Sequence, residues 1–130
     1  MLLLEISMFT EMADKDELRK AYEAVYKMFN SIGIKFVMHP HAMDDRLLGR
    51  DAAITAEQMI DTFQRAMARS PKRFKQIKNR DYIKFVIRDS SNNGNYVIAV
   101  RNNKALLITV MYKANYKLDN DKETSFTIDL

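Results

Sequence analysis

The chain has no cysteine, which removes disulfide scaffolds, thiolate zinc sites and cysteine nucleophiles at once. A reducing cytosol is compatible with that absence. With only three glycines, a Gly-rich loop that cradles a phosphate is hardly available, and two prolines leave no Pro/Gly-rich linker. No apolar run approaches the roughly 18–20 residues of a membrane span. The apolar start MLLLEISMF is short, carries Glu5, and lacks both a positive leading region and a small-residue cleavage site. It is therefore not expected to be a signal peptide. Neither an H-E-x-x-H zinc helix, a nucleophile elbow nor a glycosidase-type carboxylate pair stands in the chain. Repeats and low-complexity tracts are missing too.

What is present fits one globular domain spanning 1–130, with 47% hydrophobic and 29% charged residues. Asp14 followed by Glu17 predicts a helix from Asp14 to about Ile32, with Leu18, Ala21, Tyr22, Val25, Met28, Phe29 and Ile32 as its apolar stripe. Gly33 supplies the left-handed position that ends it. Ile34–Met38 reads as a short strand, and Pro40 as the first turn of a helix running to about Leu48. Thr55-Ala56-Glu57-Gln58 is a capping box, opening a helix from Ala56 to about Arg69. Its inner face is predicted as Ile60, Phe63 and Met67, and Ser70-Pro71 is read as its stop.

The period then changes to two. Tyr82–Arg88, Tyr96–Arg101 and Lys104–Lys113 are predicted strands, joined by the turn-rich Ser90–Asn95 and the tight Asn102-Asn103 turn. The apolar run Ala105–Met111 reads as a central strand covered on both faces. Residues 118–130 are expected to be a flexible tail or to add an edge strand at Ser125–Leu130. Helices first and an antiparallel meander afterwards predict an α+β fold, helices packed on one face of the sheet.

The net charge is +4, but it is unevenly spread. Between Arg65 and Arg88 stand Arg65, Arg69, Lys72, Arg73, Lys75, Lys78, Arg80, Lys84 and Arg88, against Asp81 alone. Such asymmetry points to a polyanion partner, or else to a solvated face. The two histidines, His39 and His41, flank Pro40, and Arg46 and Arg50 follow one helical turn apart. Histidine exchanges protons near neutral pH, and arginine grips a phosphate and the charge developing on it. Asp45 shares a helical face with His41 and can orient the imidazole or pair with an arginine. The plainer alternative is a surface helix laced by ion pairs. Metal ligation by His-Pro-His with Asp44 or Asp45 is a third, though further ligands are not evident, and no metal or other cofactor is expected. Thr109 breaks the most apolar strand, so its hydroxyl needs a partner or a wet cleft.

These parts, in this order, resemble the RelE/barnase-like ribonuclease superfamily, which includes RelE-type toxins, EndoU-like and colicin-type RNases and the phage endoribonuclease RegB. The resemblance spans about residues 36–113. It rests on His41-Ala42 opening a helix, Arg46-Leu47-Leu48-Gly49-Arg50, Ile54-Thr55, and the strand Leu106-Leu107-Ile108-Thr109-Val110-Met111-Tyr112. The step from His41 to Arg46 is one residue longer than the usual pattern. The resemblance implies a RelE-like fold and a small metal-independent hydrolase, a toxin-type or phage-type endoribonuclease. His41, Arg46, Arg50 and Thr109 would be catalytic. The RNA, free or ribosome-bound, would lie along Arg65, Arg69, Lys72, Arg73, Lys75, Lys84 and Arg88, with Tyr82 or Tyr96 stacking on bases. It also implies a cytoplasmic setting (the host's, if phage-encoded), with an antitoxin or a host protein as protein partner. The alternative is a non-catalytic basic RNA- or protein-binding module on the same fold, such as an inhibitor of a host factor.

Overall fold

The computed structural model describes residues 15–39, 54–114 and 125–130. The fold is α+β: helices packed against a five-stranded mixed sheet. Helix α1 (Lys15–Asn30) carries Asp16 and Glu17 in its first turn and Lys27 in its last, complementing the helix dipole. It closes in a Schellman turn, where Ile34 N donates to Phe29 O at 3.0 Å and Gly33 N to Asn30 O at 3.0 Å. Gly33 sits at φ +79°, the left-handed position foreseen for it, and the tip of Lys78 lies so close that a Cβ there would meet Nζ at 2.7 Å. Leu18, Ala21, Tyr22, Val25 and Phe29 are buried along the expected stripe. The Asp14 cap lies outside the described residues, as does the helix predicted from Pro40.

Strand β1 (Lys35–Met38) follows directly. Helix α2 (Ala56–Arg69) begins with the capping box read from the sequence: Gln58 N donates to Thr55 Oγ1 at 3.2 Å, and Thr55 N to Gln58 Oε1 at 2.8 Å. Thr55→Ala should therefore cost about 1 kcal/mol in urea unfolding. The inner face of α2 is Met59, Thr62, Phe63 and Ala66. Ile60 and Met67 lie at its flanks, which corrects the predicted face by a fraction of a turn. Ser70-Pro71 does end α2, but Pro71 also opens a short helix α3 (Pro71–Gln76), because proline at the first helical position loses no hydrogen bond.

The sheet comprises β2 (Ile83–Asp89), β3 (Gly94–Arg101), β4 (Lys104–Tyr112) and β5 (Ser125–Asp129), in the order β1-β4-β3-β2-β5. The β2–β3–β4 meander is antiparallel as predicted, and Asn102 and Asn103, both at positive φ, make the tight turn. Two strands join it in parallel, β1 beside β4 and β5 beside β2. Ser125–Asp129 is thus an edge strand.

One face of the sheet meets the helices. Phe36 and Met38, Ile83, Phe85 and Ile87, Ile98 and Val100, and Phe126 and Ile128 all enter this core. Six of the seven phenylalanines form a connected aromatic spine. Phe29 stacks on Phe36 at 5.2 Å, Phe63 meets both edge-on, and Phe74 links Phe29 to Phe85, which stacks on Phe126 at 5.1 Å. On β4 the sequence predicted burial on both faces. Leu106, Ile108, Thr109 and Met111 are instead only half-buried, while Ala105, Leu107 and Val110 enter the core.

Candidate functional site

Thr109 owes its position to a β-bulge. Val97 lies opposite Thr109 and Ile98 opposite Leu107, so Ile108 is an extra residue in β4. Strict alternation after Ala105 and Leu107 would have sent Thr109 into the core. The bulge passes that place to Val110 and turns Thr109, opposite Val97, to the face away from the helices.

Strand β1 ends beside it. His39 N donates to Leu107 O at 2.9 Å, and His39 continues the alternation that puts Lys35 and Val37 on the same outer face. The chain therefore leaves the sheet at the level of Thr109, one residue before Pro40. His41, Arg46 and Arg50 lie outside the described residues. Among the described residues no three His, Asp or Glu side chains converge as a metal would require.

Arg69, Lys72, Arg73 and Lys75 are exposed on the last turn of α2 and on α3. The guanidinium of Arg73 lies 4.7 Å over the Phe126 ring, so part of its surface is committed to the fold. Lys84 and Arg88 lie on β2, on the face away from the helices; Arg88 approaches Asp129 at 3.9 Å. Tyr82 is 38% exposed, with Arg101 5.2 Å over its ring.

Two residues assigned to RNA by the sequence reading are placed otherwise. Tyr96 is fully buried, its ring edge-on to Phe63 at 5.3 Å, so it has no face to offer a base. Burial also pushes its phenol far above the usual range. Arg65 is held within the protein: Nε donates to Asp61 Oδ2 at 2.8 Å, and Nη2 donates to Asp89 Oδ2.

Asp89 itself is fully buried, and four donors meet its two oxygens. Oδ2 accepts from Arg65 and from Thr62 Oγ1 at 2.7 Å; Oδ1 accepts from Ser91 N at 3.0 Å and Ser91 Oγ at 2.6 Å. Burial pushes its carboxyl up, but the hydrogen bonds from Ser91, Thr62 and Arg65 outweigh that and hold it below the ordinary aspartate value. This is a structural clamp between α2 and the β2–β3 turn. The signal was available in the sequence, since Asp89 continues the inward phase of Ile83, Phe85 and Ile87.

No helix among the described residues is long and apolar enough to cross a membrane. Comparison with protein-family models, with characterised proteins and with solved structures finds no match.

Proposed function

We propose that the chain is a metal-independent endoribonuclease. The observation that carries the reading is the exit of β1 beside Thr109. The segment holding both histidines and the Arg46–Arg50 pair starts from a strand end hydrogen-bonded to Leu107, two residues before a hydroxyl that a bulge turns outward. Bulges recur beside active sites because they re-aim a single side chain. In this reading His41 takes the proton from a ribose 2′-OH or gives one to the leaving group. The 2′-oxygen forms a bond to phosphorus as the bond to the 5′-oxygen breaks. The departing 5′-oxygen takes up a proton, leaving a 2′,3′-cyclic phosphate. Arg46 and Arg50 hold the phosphate and its developing charge, and Thr109 hydrogen-bonds the substrate.

The test is cleavage of a mixed-sequence RNA, free and on translating ribosomes, with EDTA present. The wild type should yield 2′,3′-cyclic ends and leave a 2′-deoxy substrate intact. His41→Ala and Arg46→Ala should each lower the rate by about 10²-fold or more. A rate unchanged by His41→Ala but lost in His39→Ala would give the proton-transfer role to His39. Products with other ends, or cleavage that survives all three substitutions, would overturn the mechanism.

The exposed cations of α3 favour a second reading, a non-catalytic RNA-binding module. RNA retention without cleavage would select it. Neither cleavage nor retention would direct the basic surface to a protein partner instead.

A further inference from the structure

The register of the sheet brings together four residues that lie far apart in the chain. Lys35 is paired with Lys104 across β1 and β4, and Lys104 with Arg101 across β4 and β3. Ile83 is opposite Val100, so Tyr82, one residue earlier, comes opposite Arg101, and the guanidinium lies 5.2 Å over its ring. The result is one cross-strand row, Lys35–Lys104–Arg101–Tyr82, along one end of the sheet. Lys104, Arg101 and Tyr82 are exposed and Lys35 is half-buried.

Like charges directly opposite one another destabilise a sheet. Here two such pairs share Lys104, and among the described residues no carboxylate pairs with Lys35, Lys104 or Arg101. A row that stability alone would disfavour is what an anion-binding surface requires. The strand spacing of about 4.8 Å puts the backbone positions of the three basic residues within about 10 Å of one another. The aromatic ring at the end of the row adds a stacking surface. A cationic row ending in an accessible ring and guanidinium suits a single-stranded polynucleotide, whose phosphates meet the cations while an unstacked base lies on the aromatic platform.

We propose that this row is a phosphate-binding subsite for single-stranded RNA, with the Tyr82–Arg101 pair as its base platform. The proposal rests on the ribonucleotide reading above. It places the subsite about 13 Å along β1 from His39, at four residues of about 3.3 Å each, so it would anchor RNA away from the point of cleavage.

The test uses the full chain and a fluorescein-labelled, mixed-sequence 2′-O-methyl oligoribonucleotide, which cannot be cleaved by 2′-OH attack. Binding is followed by anisotropy across a salt series. Lys35→Gln/Lys104→Gln should weaken binding and flatten the slope of log K against log salt by about 1.4, at ~0.7 per phosphate contact. Thermal unfolding of the same variant should show an unchanged or raised Tm, because two like-charge pairs are relieved. Tyr82→Leu should weaken binding about fivefold or more at unchanged slope. Lys20→Gln, whose side chain pairs with Glu57 instead, should bind as the wild type does.

Wild-type binding whose slope is unaltered by Lys35→Gln/Lys104→Gln would overturn the subsite while leaving the RNA reading intact. An unaffected affinity in Tyr82→Leu would overturn the base platform. Absence of wild-type binding, to this probe and to natural RNA, would overturn both readings together.

Discussion

Asp89→Ala should lower the stability of the fold by roughly 3 kcal/mol, because it removes a buried carboxylate that accepts four hydrogen bonds. The physical reason is what remains behind. Arg65, 28% exposed at its side chain, would keep only Asp61, the Ser91 hydroxyl would lose its acceptor, and the Thr62 hydroxyl would be left with Gln58 O alone, at 2.8 Å. Urea unfolding should show a lower midpoint at similar slope. The effect should depend on pH in a defined sense. A carboxyl held below its ordinary value contributes stability that is fully present above about pH 4 and is lost as pH falls through its lower folded value. The gap between wild type and Asp89→Ala should therefore narrow in acid. A gap that stays constant from pH 7 to pH 2 would show that the clamp acts by shape and not by charge.

Phe63→Ala should cost a similar amount, about 3–5 kcal/mol, through the cavity it leaves. Phe63 is fully buried where α1, α2, β1 and β3 meet, and its ring lies against Phe29, Phe36 and Tyr96. Removing it empties the junction of the aromatic spine, so the neighbouring rings cannot all close the gap at once. Phe126→Ala should cost less. That ring is 7% exposed on edge strand β5, with Phe85 stacked on it and Arg73 above it. Denaturant midpoints for the two variants give the comparison directly. Equal losses would mean that the edge strand is as integral to the core as α2.

The parts of this fold legible in the sequence are those with local causes. The box Thr55–Gln58 set the start of α2 and Ser70-Pro71 its end, because a cap and a proline each act within one turn. The meander was legible from alternation and from Asn102-Asn103, since an antiparallel hairpin is specified by its own turn. The parallel partners of β1 and β5 were not legible, because periodicity says which face a residue takes but not which distant strand it meets. The outward turn of Thr109 depends on one extra residue in β4, which no repeat pattern records. Between Arg65 and Arg88 basic residues far outnumber acidic ones, which makes Arg65 look free for RNA, yet Asp61, one helical turn earlier, already pairs with it. Its other partner, Asp89, stands 24 residues away. The Asn102-Asn103 turn brings Arg101 opposite Lys104, but only the register between distant strands adds Lys35.

The placement of β1 also bears on the order in which the chain can assemble. Lys35 pairs with Lys104, sixty-nine residues further on, whereas β2 meets β3, and β3 meets β4, across a short turn. At about 5–20 residues per second of synthesis, β1 leaves the ribosome about 3–14 s before its partner exists. Until then α1, the Schellman turn and, once made, Phe63 of α2 are the neighbours against which it can shelter. The three-stranded meander can zip as it emerges, and β1 must afterwards dock on its edge, closing a long loop. That docking is the high-contact-order step. Nascent chains halted before Lys104 would thus hold β1 without its partner and the β3 edge uncovered, two unpaired strands exposed at once.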